Sequence, residues 1–192
     1  MKKYLLYFIV LVLNLFIAGC SKEDDNTNLK SEYYFRFKVD GNQVEYPFTP
    51  ETQINLTGLL DYDERMQTYV MNVGGIENIF ESMTNTLTIF VSDTQEILTG
   101  INYSNISGSS VTVPYFSFGM GYYDSEGNLY ITGLNTVTEL YETAIVNFFE
   151  ITDTHISGTF SGTLIWYDFN GGTNVLVDSV VVSEGKFKVP RY

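Results

Sequence analysis

Apolar residues recur at every second position through most of the chain beyond residue 32. Tyr33, Phe35 and Phe37 show this spacing near the start of that region, and an Asp40-Gly41 pair follows soon after. A period of two places alternate side chains on opposite faces of a β-strand. An Asp-Gly pair between alternating runs predicts a tight hairpin turn, because the turn needs positive φ at both central residues. The pattern therefore predicts antiparallel hairpins.

The C-terminal part of the chain carries this pattern most clearly. Residues 143–152 are nearly continuously apolar, which predicts a central strand covered on both faces. A turn leads into a long alternating run at 155–168, which we expect to pair with 143–152. Two further strands are predicted at 174–183 and 186–189. The expected inner-face residues of the first pair are Phe160, Leu164 and Trp166 on the second strand, and Ile145, Phe149 and Ile151 on the first.

Similar runs occupy the middle of the chain. In 85–92, Leu87, Ile89 and Val91 are expected to share one face of a strand, and Thr86, Thr88 and Phe90 the other. The whole chain offers roughly ten such strands with hairpin-length connections. The predicted fold is all-β, a single antiparallel β-sandwich or β-barrel that occupies residues 32–192.

The N-terminus has the three-part organisation of a secretory signal over residues 1–19. Two lysines precede an apolar run that is shorter than the roughly 20 residues of a membrane-spanning helix. The run ends in Ile17-Ala18-Gly19-Cys20, which resembles the lipobox of bacterial lipoproteins. The resemblance implies cleavage before Cys20 and attachment of acyl chains to Cys20, which would anchor the protein in a membrane.

Residues 20–31 are expected to form a polar tether behind the lipidated cysteine. Lys22, Glu23, Asp24 and Asp25 resemble the surface-export signal of lipoproteins in Bacteroidota-type bacteria. The resemblance implies an outer-membrane lipoprotein exposed on the cell surface. The alternative is a solvated spacer on a domain that faces the periplasm.

Two C-terminal segments, SGTFSGTL at 157–164 and EGKFKVP at 184–190, extend the resemblance. Together with the lipobox, they resemble small uncharacterised surface lipoproteins of the Bacteroidota type. The resemblance implies an all-β domain and carries over no activity and no site residue.

Charge and cysteine content exclude several classes of function. The chain has a net charge of −13, which loss of the two signal-peptide lysines would lower to −15. No basic stripe is expected to compensate for this acidity, so nucleic acid is not an expected partner. Cys20 is the single cysteine, so the domain is expected to lack disulfides, thiolate metal sites and a cysteine nucleophile.

One strand offers a candidate ligand platform. In 114–123, one face carries Phe118 and Met120 and is expected in the core, whereas the other places small residues between Tyr115 and Tyr123. A sugar ring could stack in such a flat recess between two tyrosines. The alternative is that the glycines mark a bend in the sheet.

No catalytic residue, metal site or cofactor is predicted. His155, the single histidine, follows a turn and has no second histidine or cysteine as a metal-binding partner. The acidic loops 61–64 and 124–128 depart from the calcium-loop pattern and are interpreted as solvated turns.

Three functional hypotheses follow, in order of preference. The first is a non-enzymatic surface module that binds a glycan or an outer-membrane protein. The second is a structural envelope lipoprotein without a small ligand. The third is a carboxylate-dependent hydrolase, because two of the 23 acidic residues could act as a catalytic pair.

Overall fold

Eleven strands form one antiparallel sheet in the computed structural model, which describes residues 31–81, 83–105, 116–132, 143–168 and 175–192. The strands are β1 (Tyr34–Val39), β2 (Asn42–Pro47), β3 (Leu56–Asp63), β4 (Thr68–Ile76), β5 (Thr86–Asp93), β6 (Asn102–Ser104), β7 (Phe116–Tyr123), β8 (Leu129–Thr132), β9 (Ala144–Ile151), β10 (His155–Asp168) and β11 (Val175–Pro190). A single turn of 3-10 helix, Ile79–Glu81, is the one helical element in these residues. The all-β prediction is confirmed.

The sheet curls until its two ends nearly meet. Its hydrogen-bonded order is β2-β1-β11-β10-β8-β7-β5-β4-β3, and β9 pairs with both β10 and β6. At the seam, Gly58 of β3 forms a parallel bridge with Arg191, just beyond β11. The backbone N–H of Tyr192 donates to the Gly58 carbonyl at 3.0 Å. The architecture is therefore that of a nearly closed barrel.

Aromatic rings from several walls meet in the barrel interior. The centroid of the Phe160 ring lies 5.2 Å from that of Phe35, 5.8 Å from that of Phe37 and 6.1 Å from that of Phe187. Tyr122 of β7 makes an edge-to-face contact with Phe37, and their ring centroids are 5.8 Å apart. Tilted and edge-to-face contacts are the favoured arrangements of aromatic pairs, so this cluster ties β1, β7, β10 and β11 together.

Two local predictions are confirmed. Asp40 and Gly41 both have positive φ, 49° and 83°, as the predicted tight hairpin turn between β1 and β2 requires. Leu87, Ile89 and Val91 share one face of β5 as expected, and all three are fully or almost fully buried.

The predicted β9–β10 hairpin forms, but the predicted inner face of β9 is wrong in part. Glu150 pairs with Ser157 and Phe148 pairs with Gly158, which leaves Phe149 as the extra residue of a β-bulge. One extra residue exchanges the two faces of the strand beyond it. Phe149 is therefore 58% exposed, and Ile145 lies on the outer face, whereas Ile151 packs against the core as expected. The inner residues of this part of β9 are Ala144, Val146 and Phe148.

Residues 143–152 were also expected to be covered on both faces, and this is wrong because only one face of β9 is fully buried. On β10 the prediction holds. Phe160 and Leu164 are buried, and the half-buried Trp166 packs against the core.

The strands predicted at 174–183 and 186–189 are one strand, β11. A bulge joins the two predicted parts: Phe160 pairs with Gly185 and Gly162 with Val182, so Ser183 and Glu184 together oppose Ser161. Glu184 adopts a positive φ of 52°. The bulge lets a single 16-residue strand bend while it stays paired to β10.

Candidate functional site

A pocket of about 250 Å³ opens on the outer face of the sheet beside the β11 bulge. We call it the bulge pocket. It lies across β6, β9, β10 and β11. Six of its nine lining residues have side chains that can hydrogen-bond, whereas most of the exposed surface of the pocket is apolar and includes Ile145 and Phe160. The polar lining residues are Asn102, Asn147, Thr159, Ser161, Glu184 and Lys186.

Strand register explains why these side chains converge. Asn102 pairs with Asn147, Asn147 with Thr159, and Thr159 with Lys186. Residues that are directly opposite on neighbouring strands share a face of the sheet, so the four side chains form one row. The row continues past the pocket, because Lys186 pairs with Arg36 on β1.

Hydrogen bonds fix part of the pocket wall. The Asn147 side-chain amide donates to the Asn102 side-chain oxygen at 2.8 Å. Lys38 Nζ lies 2.7 Å from Glu184 Oε1, so the carboxylate at the pocket rim is already neutralised. Glu184 is the one carboxylate among the described lining residues.

The floor of the pocket is closely packed. Gly185 packs directly on Phe160: a Cβ at residue 185 would lie 2.5 Å from the Phe160 carbonyl oxygen and 2.7 Å from its ring. The Phe160 ring in turn belongs to the aromatic core. The pocket is thus a surface depression supported from below by the core.

Four cations lie on the outer faces of β1 and β11, which corrects the expectation that no basic stripe exists. Arg36 and Lys38 come from β1, and Lys186 and Lys188 come from β11. They are far apart in the sequence, and pairing of the two strands brings them together. The alternation of apolar residues could not predict this cluster, because it does not indicate which strands are neighbours in the sheet.

Two of these cations have acidic partners. Lys38 pairs with Glu184, and Lys188 Nζ lies 2.5 Å from Glu32 Oε2. The hydrogen bond and the charge of Lys188 lower the pKa of Glu32, and the same hydrogen bond raises the pKa of Lys188. Both shifts favour the charged forms. Within the described residues, Arg36 and Lys186 form no ion pair.

His155 forms a small network on the same side of the sheet. Its Nε2 lies 3.0 Å from Glu150 Oε2, and its Nδ1 lies 3.1 Å from Thr152 Oγ1. The hydrogen bond from His155 lowers the pKa of the Glu150 carboxyl. The contacts of Thr152 with His155 and Thr154 hold the β9–β10 turn, in agreement with the interpretation of His155 as a turn residue.

The structure describes half of the predicted tyrosine platform. Tyr123 is half-buried at the end of β7, and Tyr115 lies outside the described residues. Phe118, Met120 and Tyr122 are buried, as predicted for the inner face. On the outer face, Gly119 pairs with Phe90 of β5, and a Cβ at residue 119 would meet no atom within 4 Å. Phe90 is thus a second aromatic residue beside this open recess, and sequence reasoning missed it.

The expectation that 61–64 is a loop is wrong in part, because Asp61 and Asp63 lie at the end of β3 and pair with β4. The turn begins after Asp63, and 124–128 is a turn as expected. Asp63 accepts bonds from the backbone N–H groups of Arg65 and Met66, and Asp124 accepts bonds from those of Glu126 and Asn128. In the described part of the chain, no group of three or more His, Cys, Asp or Glu side chains is placed to hold a metal ion.

Cys20, Lys22, Glu23, Asp24 and Asp25 lie outside the described residues, so the predicted anchor and sorting signal stay predictions. Among the residues that are described, no helix combines the length and the apolar character needed to cross a membrane. No protein-family model, curated protein or solved structure matches the chain.

Proposed function

We propose that this chain is a lipid-anchored, non-enzymatic binding protein, and that the bulge pocket binds one sugar unit of a glycan. The observation that carries the proposal is the row of amide and hydroxyl side chains across the pocket. Asn102, Asn147 and Thr159 can each donate and accept hydrogen bonds. Sugar hydroxyl groups also do both, so such a row is chemically complementary to one edge of a sugar ring.

The apolar part of the lining suits the same ligand. Ile145 contributes a hydrocarbon surface on which the C–H face of a sugar ring can pack. The polar row beside Ile145 supplies hydrogen-bonding groups for the rim of the sugar ring. A sugar ring is apolar on its faces and polar on its rim, and the pocket offers both kinds of surface.

The volume of the bulge pocket favours a single sugar unit as its occupant. Pockets for drug-sized ligands usually have volumes of about 300–1,000 Å³. The bulge pocket has about 250 Å³ and is open to solvent. We therefore infer that it holds one residue of a longer chain, whose neighbours continue over the outer face of the sheet.

The carboxylates of the pocket favour binding over cleavage. Most glycosidases place two carboxyl groups about 5–9.5 Å apart across the bond that they hydrolyse. Glu184 is the one carboxylate in the described lining, and its ion pair with Lys38 occupies it. This supports the binding hypothesis against the hydrolase hypothesis.

The test compares two half-buried asparagines on the outer face. The full chain, purified in a non-ionic detergent, is titrated with a panel of neutral and acidic oligosaccharides. Asn147→Ala should weaken binding about two- to tenfold, since a hydrogen bond contributes roughly 0.5–1.5 kcal/mol. Asn72→Ala, on β4 and outside the pocket lining, should bind like the unmodified protein.

Two results would contradict this proposal. Equal binding by the Asn147 and Asn72 variants would show that the bulge pocket does not bind the oligosaccharide. New reducing ends after incubation with an oligosaccharide would show hydrolysis and restore the enzyme hypothesis.

We also propose that the domain is displayed on the cell surface through its outer-membrane anchor. The acidic segment behind Cys20 supports this. Protease added to intact cells should remove the domain, and alanine at Lys22, Glu23, Asp24 and Asp25 should protect it. Protection of the unmodified protein in intact cells would show that the domain faces inward.

A further inference from the structure

Positive charge gathers beside the bulge pocket, although the chain has a net charge of −13. Lys186 lines the pocket, and Arg36 lies directly opposite it on β1. Directly opposite residues on neighbouring strands have Cβ atoms about 4.5–5.5 Å apart. The two cationic side chains therefore rise side by side from the same face.

This pair lacks an acidic partner within the described residues. Two glutamates face it. Glu184 is paired with Lys38 at 2.7 Å, and Glu45 lies opposite Arg36 on β2 without forming an ion pair. Like charges at directly opposite positions repel each other. An anion bound between Lys186 and Arg36 would remove this repulsion.

The neighbouring ring restrains the guanidinium group. Arg36 Cζ lies 4.8 Å from the centre of the Tyr34 ring, in a cation–π contact. A guanidinium held in this way has fewer orientations to lose when it binds an anion. Its N–H groups match the two oxygens of a carboxylate, and a lysine adds a second, less directional charge.

We propose that the glycan of the bulge pocket is acidic, with a sugar carboxylate bound between Lys186 and Arg36. The inference rests on the proposed function and specifies its ligand class. One sugar unit occupies the pocket through Asn147 and Thr159. The carboxylate lies at the Lys186 end of the row, where the pocket wall meets β1. The ligand class is therefore a polymer that contains uronic acids.

The experiment uses matched pairs of oligosaccharides that differ only at the carboxyl group, which is charged in one form and neutral in the other. Oligogalacturonate, alginate oligomers and hyaluronan fragments are each compared with their methyl-esterified forms, with the full chain in non-ionic detergent. At least one acidic form should bind about tenfold more tightly than its ester, as charge-assisted hydrogen bonds allow. Added sodium chloride should weaken binding of the acid and leave that of the ester unchanged.

Three charge-neutralising variants locate the effect. Lys186→Gln and Arg36→Gln should each reduce the preference for the acidic form several-fold. Arg65→Gln removes the same charge from the exposed turn between β3 and β4, and should keep the full preference. Unchanged melting temperatures in all three variants would show that the fold is intact.

The outcomes separate the two proposals. Equal affinity for acid and ester, or equal preference in the Arg36 and Arg65 variants, would overturn the acidic ligand and leave the glycan proposal standing. No binding of any acidic or neutral oligosaccharide would overturn both proposals.

Discussion

Phe160 and Gly185 lie directly opposite each other on β10 and β11, and the Phe160 ring fills the space that a side chain at residue 185 would need. On its other sides the same ring touches Phe35, Phe37 and Phe187. The pair therefore connects the aromatic core to the floor of the bulge pocket. Loss of this ring should affect both stability and the shape of the pocket.

Phe160→Ala should lower the free energy of unfolding by about 3–5 kcal/mol, because it removes buried apolar surface and leaves a cavity. Thr159→Ala, on the outer face, should change it by less than about 0.5 kcal/mol. Trp166, the single tryptophan, packs against the core and meets Tyr130 at 6.0 Å. Its emission should be blue-shifted in the folded protein and move to the red in one cooperative step as denaturant is added. Similar midpoints for the two variants would show that the assigned inner face of β10 is wrong.

Two glycines provide a test of how closely the barrel walls approach. Gly75 lies on the inner face of β4, and a Cβ there would lie 2.7 Å from Tyr46 Cδ2 and 2.8 Å from Phe35 Cγ. Gly75→Ala should cost about 1–3 kcal/mol, because overpacked cores must shift. Gly119→Ala meets no atom within 4 Å and should be neutral or slightly stabilising. Thermal melting of both variants measures the difference, and equal melting temperatures would contradict the close approach.

The buried tyrosines should make the fold sensitive to alkali. Burial raises the pKa of Tyr46, Tyr103 and Tyr122, and burial together with the charge of Asp178 raises that of Tyr130 to about 12. In the unfolded chain these groups ionise near pH 10. The stability that their protonated forms provide is complete below about pH 10, and is lost as the pH rises through the folded-state values. Denaturant midpoints measured at increasing pH should therefore fall above about pH 10.

A pair of tyrosine variants serves as the control for this prediction. The Tyr130 hydroxyl donates to Asp178 Oδ2 at 3.2 Å, so Tyr130→Phe should cost about 1 kcal/mol at neutral pH and reduce the alkaline loss. The Tyr46 hydroxyl is buried without a hydrogen-bond partner in the described residues, so Tyr46→Phe should be neutral or stabilising at neutral pH. Midpoints that are constant from neutral pH to pH 12 would contradict the predicted titration.

Acylation of Cys20 is testable by mass spectrometry. The mature protein should begin at an acylated Cys20, and the added mass should correspond to several acyl chains, since one chain gives marginal anchoring. Cys20→Ala should leave the precursor uncleaved or release the domain from the membrane. An unmodified thiol at Cys20 in the mature protein would rule out the lipid anchor.

The alternation of apolar residues correctly predicted which side chains share a face wherever strand pairing is free of bulges. Leu87, Ile89 and Val91 share one face as expected, and that face is buried, because β5 pairs with β4 and β7 without interruption. Phe149 was misplaced because one inserted residue reverses the faces of a strand. The predicted break between strands 174–183 and 186–189 is wrong for a related reason: a bulge depends on how the partner strand pairs, and the bulged strand alone does not reveal it.

The bulge pocket could not be predicted from the sequence for a different reason. Asn102, Asn147, Thr159 and Lys186 lie on four strands, and each is an ordinary outward-facing polar residue on its own strand. Their proximity follows from strand order and register. The alternation of apolar residues along a sequence predicts which side chains share a face of a strand. It does not predict which strands are neighbours in the sheet.

The position of β11 constrains the order in which the protein can be assembled. β1 joins the rest of the sheet by pairing with β11, although Tyr34 and its partner Lys188 are separated by most of the chain. Such distant contacts form slowly, and none of them can form before β11 has been synthesised. The pairings among β3, β4 and β5 are local and can form earlier, whereas the barrel can close only after its last strand has been made.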